Sequence, residues 1–296
     1  MFSRSIPALV TPFTPAGEFD EAAYRDLVEW QIAEGSNGLV ACGTTGEAAT
    51  LTAAEHFGIV RVCVEQARGR VPVIAGAGSN DTRVAAANMR AAREAGADAA
   101  LMVPPYYNRP GQEGIFRHFE ALAADAALPV ILYNVPARTV TDIQPATVAR
   151  IVAAFPQVYV GIKDASGQLA RVSQHRASCG SGWTQLSGND DLALAYNAVG
   201  GTGCISVTAN VAPRLCAEFQ QACADGDGAA ALLLHDRLFP LHDALFADAS
   251  PGPVKYALAR VRPGFPDALR LPMTPAGTAA REALDAALAH AGLPVG

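Results

Sequence analysis

Lysine is nearly absent from this chain. The 22 Lys and Arg residues include two lysines, Lys163 and Lys255, so arginine supplies the generic surface charge. Charged residues of any kind make up 17%, the formal net charge is −6 and no basic run occurs. That excludes a partner bound through its phosphate backbone, and no nucleic acid is expected. No uninterrupted apolar run approaches the roughly 20 residues of a membrane helix, so no membrane partner is expected either. The apolar stretch in MFSRSIPALVTPF is too short for a secretory signal. The six cysteines (Cys42, Cys63, Cys179, Cys204, Cys216 and Cys223) form no CxxC pair. They fall within apolar patterns and are expected as buried free thiols in a reducing compartment, hence a cytoplasmic location. Neither HExxH nor His-x-His is present among the six histidines, which argues against a metal-dependent enzyme.

What remains is a chain of 296 residues, half of them hydrophobic, long enough for one large α/β unit or two ordinary ones. Apolar runs of strand length are predicted at Ser5–Val10, Gly38–Cys42, Val71–Ala75, Ala97–Val103, Val130–Tyr133, Val158–Lys163, Thr184–Leu186 and Gly203–Val207. Helical spacing of apolar residues marks Asp20–Glu34, Thr52–Arg68, Asp81–Ala95 and Gln112–Ala126 between them. Thr52-Ala53-Ala54-Glu55 has the form of a capping box, and Gly35 and Gly96 stand where helices should stop. Eight strands alternating with helices predict parallel pairing through right-handed crossovers. Closure into a (β/α)8 TIM barrel is the simplest arrangement. A doubly wound open sheet is the rival, but it offers no reason for the number eight. From about Gly226 strand patterns vanish. Ala229–Phe246, Pro253–Val261 and Pro275–Ala291 read as three helices, with Thr274-Pro275 as cap and first helical residue of the last. The expected organisation is a catalytic barrel over 1–225 and a helical extension over 226–296.

In such a barrel, reactive groups gather at the carboxyl ends of strands. There stand Gly43-Thr44-Thr45-Gly46-Glu47, Pro104-Pro105-Tyr106-Tyr107-Asn108-Arg109, Tyr133-Asn134-Val135-Pro136-Ala137-Arg138 and Lys163. Lys163 ends an apolar strand, where an ammonium is costly to desolvate and a neutral amine able to attack a carbonyl is favoured. A strand-end lysine can also snorkel to solvent or pair with Asp164. The scarcity of lysine and the neighbouring Tyr133 favour the reactive reading. Tyr133 can shuttle a proton during imine formation. The GTTGE loop offers consecutive amides and two hydroxyls, a cradle for a small carboxylate, or an ordinary tight turn. It lacks the GK[ST] of a phosphate loop. Arg138 suits a carboxylate held by two parallel bonds, and equally a surface arginine. Lys255, in PVKYAL, lies in a helical context outside the barrel and reads as structural.

The segments GTTGE, PPYYNRP, YNVPART, GIKDASG, SGNDD and VKYAL, in this order and nearly end to end, resemble the dihydrodipicolinate synthase family. The wider group is the class I pyruvate-dependent lyases and aldolases, which includes N-acetylneuraminate lyase. The resemblance implies that Lys163 forms an imine with pyruvate and that no other cofactor and no metal is required. It implies that Tyr133, Thr44 and Tyr107 form a hydroxyl relay. Thr45 with the loop amides would hold the pyruvate carboxylate, and Arg138 the carboxylate of L-aspartate 4-semialdehyde. Gly188 and Ile205 would lie near bound pyruvate. Tyr107 would reach into a neighbouring subunit of a homotetramer built from two tight dimers. His56, Asn80 and Tyr106 match positions of a lysine effector site, but Val84 stands where feedback-inhibited members carry glutamate. Ala137 replaces a usual serine or glycine, and Val140 a common glycine. A sugar-acid aldolase or lyase on the same scaffold, and a non-catalytic pyruvate-binding relative, are the competing readings. The latter would be expected to lose Lys163, Tyr133 or a relay hydroxyl, and all are present.

Overall fold

The computed structural model describes residues 2–124, 126 and 128–296. Eight short strands form one sheet: β1 (Arg4–Pro7), β2 (Leu39–Ala41), β3 (Val73–Gly76), β4 (Ala99–Met102), β5 (Val130–Asn134), β6 (Tyr159–Asp164), β7 (Thr184–Ser187) and β8 (Gly203–Ser206). Each of β2 to β7 pairs in parallel with the next, and β8 pairs with β1. A parallel bridge between Ala8 and Val40 brings β1 to β2. The sheet therefore curls into a nearly closed barrel, as expected of eight consecutive βα units, and the open-sheet rival is set aside.

Because side chains alternate across a strand, each strand serves two cores. The inward row includes Ile6, Val40, Ile74, Leu101, Ile131, Leu186 and Ile205, which pack together inside the barrel. The outward row meets the helices. Met102, Leu132 and Ile162, for example, pack with Met89, Phe119 and Ile151. Strands buried on both faces read as nearly continuous apolar runs, which is why they were legible without strict alternation.

The helices are α1 (Glu21–Ala33), α2 (Ala53–Ala67), α3 (Thr82–Glu94), α4 (Gln112–Ala124), α5 (Pro136–Thr139), α6 (Pro145–Ala154), α7 (Ala170–Cys179), α8 (Ala193–Ala198), α9 (Pro213–Asp225), α10 (Gly228–Ala244), α11 (Gly252–Val261) and α12 (Thr278–His290). Asp20 caps α1 by accepting from Ala23 N, and the Thr52/Glu55 capping box of α2 is formed in both directions. Asp125, within the expected helix Gln112–Ala126, lies outside the described residues. Cys42, Cys63, Cys204 and Cys216 are buried and Cys179 and Cys223 half-buried, all as free thiols. Among the described residues no helix is long and apolar enough to cross a membrane.

After α9 the chain adds α10 to α12. Leu238, Leu241, Val254, Leu258, Leu284 and Leu288 share a buried cluster with Leu27, Val28, Ile59 and Val60 of α1 and α2. The last helix begins later than Thr274-Pro275 suggests. Gly277, in extended conformation, is its N-cap, and its N–H donates to Asp248. The reason is packing. Thr274 O lies against Gly252, where a Cβ would come within 2.7 Å of it, so residues 274–276 run as a strap over the start of α11.

Backbones approach closely where β3 meets the loop after β2. A Cβ on Gly76 would stand 2.1 Å from Cys42 O, and Cys42 itself has φ 54°. Because the obstacle is backbone, it cannot rotate away. Gly76→Ala is therefore expected to destabilise the fold by about 3 kcal/mol or more, measurable as a lowered urea midpoint. An unchanged midpoint would show that the β2–β3 junction yields freely.

Candidate active site

The register of β5 on β6 pairs Tyr133 with Lys163, and the next pair is Asn134 with Asp164. Alternation sends the first pair into the barrel and the second outward. Lys163 is 5% exposed and Tyr133 6%, and Lys163 Nζ lies 4.2 Å from the centroid of the Tyr133 ring. The anticipated amine and phenol thus sit side by side at the carboxyl end of the barrel. Among the described residues Lys163 Nζ has no hydrogen bond or ion pair, which leaves the nitrogen available to a ligand. The bland alternatives, solvent or a pair with Asp164, do not describe it.

On the outer side, polar groups hold the two strand ends. Asn134 donates to Asp142 at 2.9 Å and accepts from Ile143 N at 2.9 Å. Asp164 accepts from Ser166 N at 2.9 Å. Asp142 takes two bonds from the Arg171 guanidinium, at 2.7 and 2.6 Å. Burial pushes the Asp142 carboxyl up, but Arg171, Asn134 and Gln144 outweigh it and leave its pKa below the usual carboxylate value. None of this network was anticipated. Its one signal was that a polar residue directly follows each of Tyr133 and Lys163, at 134 and 164.

The loop after β2 lies at the same end. Thr44 is exposed and Thr45 buried. Neither hydroxyl has a side-chain bond among the described residues. Gly46 N donates to Gly43 O and Glu47 N to Thr44 O, both at 3.1 Å, so the loop is a tight turn. Thr11, just past β1, ties it down by donating to Gly46 O at 2.8 Å. GTTGE is thus a tight turn, and among the described residues its two hydroxyls have no side-chain partner.

Ile205 is fully buried in the barrel interior. Gly188 donates its N–H to Asp164 O at 2.8 Å, and a Cβ there would meet Ala165 Cβ at 2.7 Å. The SGNDD loop is thus locked onto the strand that carries Lys163. Asp190 of the same loop accepts from Val207 N at 2.8 Å and Thr208 N at 3.2 Å, fastening β7 to the end of β8. Arg138, on α5, is exposed on the rim with no carboxylate partner among the described residues. Val140 caps that helix at φ 55°, a left-handed conformation costly for a β-branched residue.

Tyr107 is 91% exposed at φ 71°. Within one chain it projects from the rim and does not join Tyr133 and Lys163. Of the suggested effector positions, His56 Nε2 is 2.7 Å from Gly76 O, and burial outweighs that bond to hold the ring's pKa below its ordinary value. Asn80 O accepts from Asn108 Nδ2 at 2.9 Å, Tyr106 is exposed, and Val84 is 47% exposed. Among the described residues no group of three or more His, Cys, Asp or Glu side chains is placed to hold a metal ion.

A profile of the Dihydrodipicolinate synthetase family matches residues 1–291. The chain is 65% identical over 293 residues to the 4-hydroxy-tetrahydrodipicolinate synthase of Rhizorhabdus wittichii, covering 99% of this chain and all of that one. Among solved structures it resembles dihydrodipicolinate synthase from Aquifex aeolicus, with TM-score 0.95, 37% identity and 99% of both chains covered. It also resembles the Acinetobacter baumannii enzyme complexed with pyruvate, with TM-score 0.93, 41% identity, and 99% and 100% of the two chains covered.

The Arg171–Asp142 pair behind the strand ends has a measurable pH signature. A carboxyl whose folded pKa is depressed contributes stability above its unfolded pKa and loses it as pH falls through the folded value. At neutral pH Arg171→Met should cost about 2 kcal/mol, since it leaves a half-buried carboxylate unpaired. The gap from wild type should narrow as pH falls below about 4. Urea unfolding across that range checks both, and a gap that widens in acid would contradict the assignment.

Proposed function

This chain belongs to the dihydrodipicolinate synthetase family, and from that premise we propose that it condenses pyruvate with L-aspartate 4-semialdehyde. The product is 4-hydroxy-tetrahydrodipicolinate, a precursor of diaminopimelate and lysine. The observation that carries the reading is the buried Lys163 amine beside the Tyr133 ring, free of protein partners among the described residues. The pyruvate complex of the Acinetobacter relative supports the choice of first substrate.

Lys163 Nζ, as a free amine, adds to the C2 carbonyl of pyruvate. The Tyr133 phenol delivers a proton to the carbinolamine oxygen, which leaves as water and yields the imine. The imine draws electrons from the adjacent methyl carbon, which loses a proton to give an enamine. The enamine carbon bonds to the aldehyde carbon of the second substrate. That substrate's own amine then adds to the imine carbon and expels Lys163, closing the ring and restoring the enzyme. The covalent imine serves in place of a separate cofactor.

The remaining roles are those that the family resemblance implies. Thr45 and the amides of its tight turn hold the pyruvate carboxylate, and Gly188 and Ile205 contact pyruvate through their backbones. Arg138 on the rim takes the aldehyde's carboxylate. Thr44 and Tyr107 pass protons from Tyr133 toward solvent. A tyrosine as exposed as Tyr107 fits a side chain completed by a neighbouring subunit, as in a homotetramer of two tight dimers. We assign catalysis to the barrel of residues 1–225 and a supporting role to 226–296, in a cytoplasmic enzyme.

Borohydride treatment in the presence of pyruvate should attach a pyruvate-derived group to the Lys163 peptide and to no other. Lys163→Ala should abolish both the adduct and the condensation. The reading would be falsified if the adduct formed elsewhere, or if purified enzyme cleaved a sugar acid but did not consume aspartate semialdehyde. A second expectation concerns regulation. His56, Asn80 and Tyr106 match a lysine effector site, but Val84 offers no charge to an ammonium. L-Lysine at about 1 mM should therefore leave most activity intact, because the charge-assisted bond is missing. Full inhibition below that concentration in a steady-state assay would overturn this.

A further inference from the structure

Among the described residues the second lysine is the most deeply buried cation, and its carboxylate partner belongs to the GTTGE turn. Lys255 on α11 is fully buried, and its Nζ lies 2.6 Å from Glu47 Oε1. It also donates to Ala268 O at 2.7 Å and sits 4.3 Å from the centroid of the Phe13 ring. Glu47 is the last residue of the GTTGE turn. Its other oxygen, Oε2, accepts from Arg270 N at 3.1 Å. The Arg270 side chain continues the clamp, donating to Gly17 O at 2.8 Å, to Thr50 O at 3.0 Å and to Glu55 at 2.6 Å.

Two features make a purely stabilising role a poor account. A buried ion pair is weak evidence for stability, because desolvation offsets most of the attraction and an apolar pair of similar volume often does as well. And Glu47 is held at φ 55°, ψ 35°, a left-handed conformation costing a residue with a Cβ about 1 kcal/mol or more. What the pair does is draw the Glu47 side chain inward. Since Glu47 N–H closes the turn on Thr44 O at 3.1 Å, drawing Glu47 inward sets the path of Thr44 and Thr45.

We propose that Lys255, with Glu47, is a positioning pair by which the C-terminal extension holds the Thr44-Thr45 turn in the conformation that receives the pyruvate carboxylate. This rests on the reading of that turn as the carboxylate cradle. Lys255 touches no reacting atom and acts through Glu47. The unexpected side of the assignment is that a helix outside the barrel governs affinity for the first substrate.

The test measures kcat/KM for each substrate, together with Tm, in Lys255→Met, Glu47→Gln, their double variant, Glu47→Asp and Thr45→Ala. Each of the first four should lower kcat/KM for pyruvate about tenfold or more, while kcat/KM for aspartate semialdehyde stays within about twofold of wild type. The double variant, with no unpaired charge left, should regain the Tm lost by the singles without regaining pyruvate kcat/KM. Wild-type pyruvate kcat/KM in the double variant overturns the proposal, as does an equal fall for both substrates. If the charge-removing variants do not fold, Glu47→Asp decides: it keeps the charge but shortens the reach, and wild-type kinetics there overturn the proposal. Thr45→Ala separates the two levels. If it leaves pyruvate kcat/KM unchanged, the cradle reading itself fails; if it lowers the value and the Lys255 and Glu47 variants do not, only the positioning pair fails.

Discussion

The pairing of Tyr133 with Lys163 across β5 and β6 is the contact on which the proposed chemistry depends. In a closed parallel barrel the register of neighbouring strands is set by backbone bonds, and alternation then decides which side chains face inward. A slip of one residue would turn Lys163 into the helix layer and bring Ile162 or Asp164 inward. The surrounding structure guards against that slip. Asn134 and Asp164 sit one residue further on, on the outer face, where Asn134 Nδ2 donates to Asp164 Oδ1 at 3.4 Å across the two strands.

The two lysines illustrate how one side chain serves opposite ends. Both are buried, and both lie close to an aromatic ring. Lys255 has a carboxylate and a carbonyl at bonding distance, and although burial pushes its pKa down, Glu47 works against that. An ammonium so held is committed to the fold. Among the described residues Lys163 has neither partner, and it lies buried beside the Tyr133 ring inside the barrel. An arginine could replace neither, since it is neither a nucleophile nor a compact point charge. A chain that otherwise relies on arginine keeps lysine at the two places where its chemistry differs.

The eight strands and the first helices were legible because apolar run length, capping residues and glycine stops all act locally. Strand boundaries at β5 and β6 extended one residue past the apolar run, to Asn134 and Asp164, because those residues keep the ladder while their side chains find partners across the barrel surface. The start of α12 was misread for the opposite reason. Thr274-Pro275 has the local chemistry of a helix start, but close packing on Gly252 keeps that segment extended. Lys255 reads as structural from its helical context, but its partner Glu47 is remote in sequence and was not legible. Likewise Arg171 and Asp142 gave no sign that they support the strand ends.

Composition and pattern alone determined the βα alternation, the eightfold count and the candidates for amine, phenol and carboxylate loop, because these follow from side-chain period and from residue chemistry at strand ends. Tertiary structure alone decided which lysine is without a partner among the described residues and which is committed, since that depends on the groups within bonding distance of each nitrogen. Distances of that kind arise only when segments far apart in the chain, such as Glu47 and α11, are brought into contact by barrel closure and by docking of the extension.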